Sequence, residues 1–321
     1  MSYWNEKVKI GHLSFPRFMG GPLDGVTDSP FRKIVRQFSK EELLYTEIRH
    51  VACVANDKGG IKALAFEQME RPLNYQVTAN STNFIKLACE KVLAKGVDCV
   101  DLNIGCPAKN VVGSGSGSAL MANLPILEKV LKLFRELLKD VPLTVKMRAG
   151  FQTKNAVEVA LLAQNCGVQA VAIHPRSRTQ RFSGELDYAL AAQVKKAISI
   201  PVLFSGGIVD FYSAKKVYEL TGADGFLIGR GMWAQPWKLK EIKEHAQGNS
   251  SFQVSKKTIL SCALQQLDNM LEYYGENGLY CFRKHVPFYI KDVPDASAIR
   301  NRVVTSDSAL YIKEELVRCL G

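Results

Sequence analysis

Residues 101–120 read DLNIGCPAKNVVGSGSGSAL. An apolar alternating run closes at Asn103, a thiol follows at Cys106 between Gly105 and Pro107, and glycines recur at Gly113, Gly115 and Gly117. A thiol in a loop that follows a strand and precedes a proline is placed to act as a nucleophile or as a general acid. The glycine-rich backbone beside it can move and close over a substrate. Lys146 stands inside the β-patterned run LTVKMR (143–148), where an unpartnered ammonium is costly to bury. It either reaches out at the strand end or meets an electron-rich group. His174 ends another apolar run, and HPRSRTQR carries Arg176, Arg178 and Arg181 directly after it, a basic loop suited to a polyanion.

These residues share a position. Strand-like segments occur at 17–22, 43–48, 73–78, 99–104, 143–148, 170–175, 201–206 and 224–229. Helical periodicity fills most of the gaps. It is clearest over 124–140, where Leu127, Val130, Leu131 and Phe134 share a face and Asn123 is a fitting N-cap. The gap over 49–72 is the least regular. KGVDCVDLNIG, CGVQAVAIHP and TGADGFLIGRG repeat one plan, a helix ended by a glycine and then an apolar strand. Eight strands each followed by a helix predict an α/β fold, a (β/α)8 TIM barrel, with a doubly wound open sheet as the alternative. QGNSSFQ (247–253) reads as a linker, and the signals beyond it are only helical. The expected organisation is a barrel over 1–246 followed by a small all-helical domain over 254–321.

In such barrels the chemistry sits at the C-terminal strand ends. Those ends carry Pro22, Glu47, Gln76, Asn103 with Cys106, Lys146 with Arg148, His174, Ser205-Gly206-Gly207 and Gly229-Arg230. FSGGI and IGRG, after the seventh and eighth strands, form a pair of glycine loops whose backbone N–H groups can cradle a phosphate. A phosphorylated cofactor or sugar would then lie across the barrel mouth. Lys146 fits two chemistries there, a Schiff-base lysine or a charge that stabilises a reduced, anionic flavin.

The chain has 321 residues, is 47% hydrophobic and carries a net charge of +11, a balance that favours a polyanionic partner. No apolar run approaches the length of a membrane span, and the N-terminus shows no apolar signal core. Eight cysteines without a C-x-x-C pair argue against a zinc ribbon, and no metal site is expected. The chain reads as a cytoplasmic, monomeric protein with reduced thiols.

GPLDGVTDSPFR, YQVT, DLNIGCPAKNVVGSGSGSALM, VKMRAG, IHPRSRTQRFSGELDY, FSGGI and DGFLIGRG resemble, in order and spacing, the tRNA-dihydrouridine synthases, the bacterial members above all. The likeness covers about residues 16–240, and GLYCFRKHVPFYI (278–290) resembles part of that family's helical domain. The resemblance implies a flavin barrel with a tRNA-binding helical domain, reducing the C5–C6 bond of particular uridines with FMN and NADPH. It implies that Cys106 is the acid that protonates uracil C5. It places Pro22, Leu23, Asp24, Gln76, Lys146, His174, Ser205, Gly206, Gly207, Gly229 and Arg230 at the FMN, and Asn103 and Arg148 beside the flavin and uracil. The chain departs from the family's usual pattern at Gly21-Pro22-Leu23, where Ala-Pro-Met is common, at Ser205, where Asn is common, and at Pro175, where Gly or Ala is common.

Two alternatives compete. A dihydroorotate-dehydrogenase-like flavin barrel would use the cysteine as a base on a free pyrimidine, but such a substrate needs neither the helical domain nor the positive charge. A non-catalytic RNA-binding barrel would need no intact Cys106, Lys146 and His174. Residues 254–321 hold nine Lys/Arg against eight Asp/Glu, with the positive residues clustered at Arg283-Lys284 and Arg300/Arg302, which suits phosphate contacts.

Overall fold

A computed structural model describes residues 3–57, 64–291 and 293–321. Part of the irregular 49–72 segment therefore lies outside the described residues. Strands β1 (Lys7–Ile10) and β2 (Leu13–Pro16) form an antiparallel hairpin turned at Gly11, whose φ is +60°. After it come β3 (Phe18–Gly20), α1 (Ser29–Phe38), β4 (Leu44–Tyr45), β5 (Arg49–His50), α2 (Val51–Ala55), β6 (Leu73–Thr78), α3 (Ile85–Ala94) and β7 (Cys99–Ile104). The chain continues through α4 (Lys109–Gly113), α5 (Leu124–Leu138), β8 (Leu143–Gly150), α6 (Ala156–Asn165), β9 (Ala170–Ser177), α7 (Tyr188–Ala197), β10 (Val202–Ser205), α8 (Phe211–Thr221), β11 (Gly225–Ile228) and α9 (Lys238–Ala246). Five further helices follow, α10 (Lys256–Tyr274), α11 (Asn277–Arg283), α12 (Val286–Tyr289), α13 (Ala296–Thr305) and α14 (Ala309–Leu320).

Strands β3, β4, β6, β7, β8, β9, β10 and β11 pair in parallel, and β11 pairs back onto β3, so the sheet closes into an eight-stranded ring. This is the TIM barrel that the strand–helix alternation predicts, and the open sheet is ruled out. The eight expected strands all form, several of them shorter than their apolar runs. The β1–β2 hairpin was not expected: its two short runs flank one glycine turn, and their apolar side chains find partners only in the closed ring. Val8, Ile10 and Phe15 cluster with the barrel-interior residues Met19, Tyr45, Cys99, Ala172 and Leu227.

The period of two along each strand decides what faces where. Tyr75, Val77, Val100, Leu102, Val145 and Met147 join the large core beneath the helices. Their neighbours Asn74, Gln76, Asp101, Asn103, Thr144, Lys146 and Arg148 therefore face the barrel axis. Register aligns them into layers, Asn103 with Lys146 and Gln76 with Asp101. The repeated helix–glycine–strand plan is realised by left-handed Gly96, Gly167 and Gly222, at φ of +73°, +81° and +66°. Asn123 caps α5 through Ile126 N–H, and Leu127, Val130, Leu131 and Phe134 are buried.

Helices α10 to α14 build a second apolar cluster around Leu267, Phe282, Val303 and Leu316, and it extends to Ile34, Ala234 and Trp237 of the barrel. No helix among the described residues is long and apolar enough to cross a membrane.

Candidate active site

A cavity of about 400 Å³ opens at the C-terminal end of the barrel. Its walls contain Cys106 and each of Pro22, Leu23, Asp24, Gln76, Lys146, His174, Ser205, Gly206, Gly207, Gly229 and Arg230, together with Asn103 and Arg148. Polar residues at strand ends converge because ring closure brings all the ends to one rim.

Cys106 is held through its backbone. Its N–H and that of Gly105 donate to Asn103 Oδ1 at 2.9 and 3.0 Å. Its carbonyl accepts from Ser118 N–H at 3.1 Å. Gly117, at φ +59°, packs so closely that a Cβ there would lie 2.8 Å from the Cys106 carbonyl oxygen. The glycine-rich segment is thus no free flap over its whole length. Its first half folds as the short exposed helix α4, while Ser116 to Ser118 are buried, with Gly117 N–H donating to Thr78 Oγ1 at 3.1 Å. Burial pushes the Cys106 thiol above its ordinary range, against a lowering by the Ala108 N–H, Arg148 and Lys146.

The Lys146 ammonium makes no hydrogen bond or ion pair among the described residues. Burial, then Arg148, lowers its ammonium to about 8, and Asp101 opposes the fall. Below it lies a chain of side-chain hydrogen bonds that the sequence pattern had not singled out. Asn103 donates to Gln76 at 2.9 Å, Gln76 donates to Asp101 at 2.8 Å, and Thr144 donates to the other Asp101 oxygen at 2.6 Å. Arg148 is buried and acts as a strut. Its guanidinium donates to the carbonyls of Gly105 at 2.8 Å, Ser177 at 3.0 Å and Arg181 at 2.8 Å, so it ties the Cys106 loop to the loop after β9. His174 is kept neutral far below its usual range, first by burial and then by Lys146, Arg148, Arg176 and Arg230.

Phe182 was also missed. It stands at the cavity wall with its ring 5.3 Å from the Arg148 guanidinium and 5.5 Å from that of Arg230. Its only sequence signal is a lone aromatic in a basic loop. Arg176 turns inward and donates to Gly184 O, Arg178 lies 4.7 Å from the Phe151 ring, and Arg181 is exposed on the rim. None of the three lines the cavity.

In the helical domain the four cationic candidates separate. Arg283 donates to Ser306 O and Asp307, both at 2.6 Å, and Arg302 pairs with Glu315 at 3.0 Å. Arg300 is half-buried on α13. Exposed Lys284 points at the loop after β3, where a Cβ on Gly25 would lie 2.9 Å from its Nζ.

The cavity fits a flavin phosphate cofactor. Among the described residues His174, in the cavity wall, has its Nδ1 buried without a partner. Gly206 and Gly207 line the cavity with backbone, and a Cβ on either would press on Leu186 at 2.9 or 3.0 Å. Both hold left-handed φ, +129° and +68°.

The "Probable tRNA-dihydrouridine synthase 1" of Synechocystis sp. is 33% identical over 99% of this chain and 90% of its own length. The "tRNA-dihydrouridine synthase B" of Pseudomonas aeruginosa is 32% identical over 94% of this chain and 93% of its own. A solved morphinone reductase in complex with tetrahydroNAD superposes with a TM-score of 0.55 at 12% identity, over 80% of this chain and 93% of that one, a likeness of fold. The dihydrouridine synthase (Dus) family model matches residues 19–317, and the chain belongs to that family.

Proposed function

We propose that this protein is a tRNA-dihydrouridine synthase that reduces the C5–C6 bond of uridines in tRNA, with FMN as its flavin and NADPH as reductant. The observation that carries the reading is the convergence, in one cavity, of the Cys106 thiol with the cationic and amide side chains of the barrel mouth. When bound, a flavin would supply hydride for uracil C6.

Hydride addition at C6 pushes charge onto C5 and O4 of the ring, so a proton must arrive at C5. Cys106, pushed upward by burial, holds its proton at neutral pH. That suits an acid and disfavours both a nucleophile and the base that a dihydroorotate-type reaction needs. Lys146 and Arg148 lie close enough to lower the thiol, so they ease its loss of the proton. Asn103 fixes the backbone from which the thiol projects. Lys146, with no partner of its own, would face the flavin, and the Gly206-Gly207 and Gly229-Arg230 loops would hold its phosphate. Phe182 offers a flat face to a base extruded from the RNA stack. The barrel over 1–246 carries the chemistry, and the helices over 254–321 orient the tRNA.

Cys106→Ala tests this. The variant should keep flavin, tRNA binding and flavin reduction by NADPH, yet lose nearly all dihydrouridine formation mapped by mass spectrometry. Dihydrouridine made at the normal rate would remove Cys106 as the acid. Heat release should yield FMN, and recovered FAD would contradict the single phosphate cradle.

A further inference from the structure

Beneath the cavity lies a carboxylate that the reaction above does not use. Asp101 is wholly buried in β7, two residues before Asn103 and on the same inward face. Both its oxygens accept. Oδ1 accepts from Thr144 Oγ1 at 2.6 Å, and Thr144 in turn accepts from Asn74 Nδ2 at 2.9 Å. Oδ2 accepts from Gln76 Nε2 at 2.8 Å; Gln76 Oε1 accepts from Asn103 Nδ2 at 2.9 Å. Asn103 Oδ1 finally accepts the Gly105 and Cys106 N–H groups at 3.0 and 2.9 Å. Every one of these bonds points its donor toward Asp101.

That common sense has a chemical cause. A primary amide has one donor end and one acceptor end, and its neighbours decide which way round it sits. An ionised carboxylate only accepts. It obliges Gln76 to present its NH2 group downward and its oxygen to Asn103. Asn103 must then present its NH2 to Gln76 and its oxygen to the Cys106 loop. If Gln76 reversed, Asn103 would turn its own donor against two backbone donors.

We propose that Asp101 is a positioning residue for Cys106: as the acceptor on which both chains end, it sets the orientation of the Gln76 and Asn103 amides and, through Asn103, the backbone carrying the thiol. The bearing on catalysis rests on the acid role proposed for Cys106; the geometry does not. The titratable groups that face Asp101 are Lys146 on β8, Tyr45 on β4 and Cys99 on its own strand. Burial pushes Asp101 up to about 6, with Thr144, Gln76 and Lys146 opposing, so it is ionised at neutral pH.

The test is amide hydrogen exchange at Gly105 and Cys106 in the purified full-length protein. Asp101→Leu removes the acceptor while keeping the branched side-chain shape, and exchange at these two amides should quicken roughly tenfold, the equivalent of one net hydrogen bond. Asp101→Asn should rescue in part, because its oxygen can still accept from Gln76 while the Thr144 hydroxyl rotates. Unchanged exchange at 105 and 106 in Asp101→Leu overturns the proposal, and so does an Asp101→Asn variant as loose as Asp101→Leu, which would make charge rather than orientation decisive. Should Asp101→Leu not fold, the wild type decides. The side-chain NH2 groups of Gln76 and Asn103 should be protected from hydrogen exchange at pH 7, and exchange of both as fast as in a free amide would overturn the idea. Exchange reads geometry and Cys106→Ala reads chemistry, so the two proposals fail separately.

Discussion

Tyr274, at the end of α10, donates its hydroxyl to Asp28 Oδ2 at 3.0 Å across the junction of barrel and helical domain. Asp28 also caps α1 through Phe31 N–H at 3.0 Å. Its carboxyl is pushed up to about 7, first by burial and then by Glu47, while Phe31, Tyr274 and Arg32 oppose the rise. The folded value lies above the unfolded one, so ionised Asp28 costs stability above pH 7, and that cost is relieved as pH falls from about 7 toward 4. The Tyr274 bond favours the ionised form. Tyr274→Phe should therefore cost about 1–2 kcal/mol at pH 8 and less at pH 5. Urea melts at the two pH values measure it, and equal costs would refute the ionised assignment.

His285 carries the opposite sign. It is buried beside Phe31 and Trp233, both ring nitrogens lack a partner among the described residues, and burial, then Lys284, lowers it to about 3. The unfolded chain takes up the proton first, so stability is lost as pH falls from about 6.5 toward 3, by up to about 1.4 kcal/mol per pH unit. His285→Leu should flatten this acid limb in melts recorded between pH 7 and 4. A limb as steep as that of the wild type would place the acid sensitivity elsewhere.

Gly117→Ala should disturb Cys106 without touching the phosphate loops. The new Cβ would meet the Cys106 carbonyl at 2.8 Å, and φ is +59°. A displacement of the thiol by about 1 Å can cost ~100-fold in rate. Flavin content should hold while dihydrouridine formation drops at least tenfold, within that estimate. Full activity would mean that the loop relaxes without moving the thiol.

The cations of the helical domain should not behave alike. Lys284→Gln with Arg300→Gln should weaken tRNA binding and flatten its salt slope by about one unit for each lost phosphate contact. Arg283→Gln with Arg302→Gln should instead lower the melting temperature, because those side chains are already engaged by Ser306, Asp307 and Glu315. If the first pair left affinity and slope unchanged, the RNA would be held elsewhere, with the rim residue Arg181 and its neighbours Arg176 and Arg178 as the next candidates.

The one-dimensional pattern determined the barrel and the membership of its mouth. Alternation along a strand encodes inward and outward faces, and a polar residue where that run should stay apolar marks a strand end. Gln76, Asn103, Lys146 and His174 were legible for that reason, and Cys106 by its place in the loop. What the pattern does not encode is who meets whom across strands. Asp101 reads as an ordinary member of DLNI until closure sets it beneath Gln76 and beside Thr144, residues 25 and 43 positions away. Arg148 reads as a ligand for the site, yet the fold uses its guanidinium on three carbonyls from two loops. Asp28 meets Tyr274 from 246 positions away. Such pairings depend on register and docking, which the whole closed structure sets, because each buried donor or acceptor must find its partner in the finished packing.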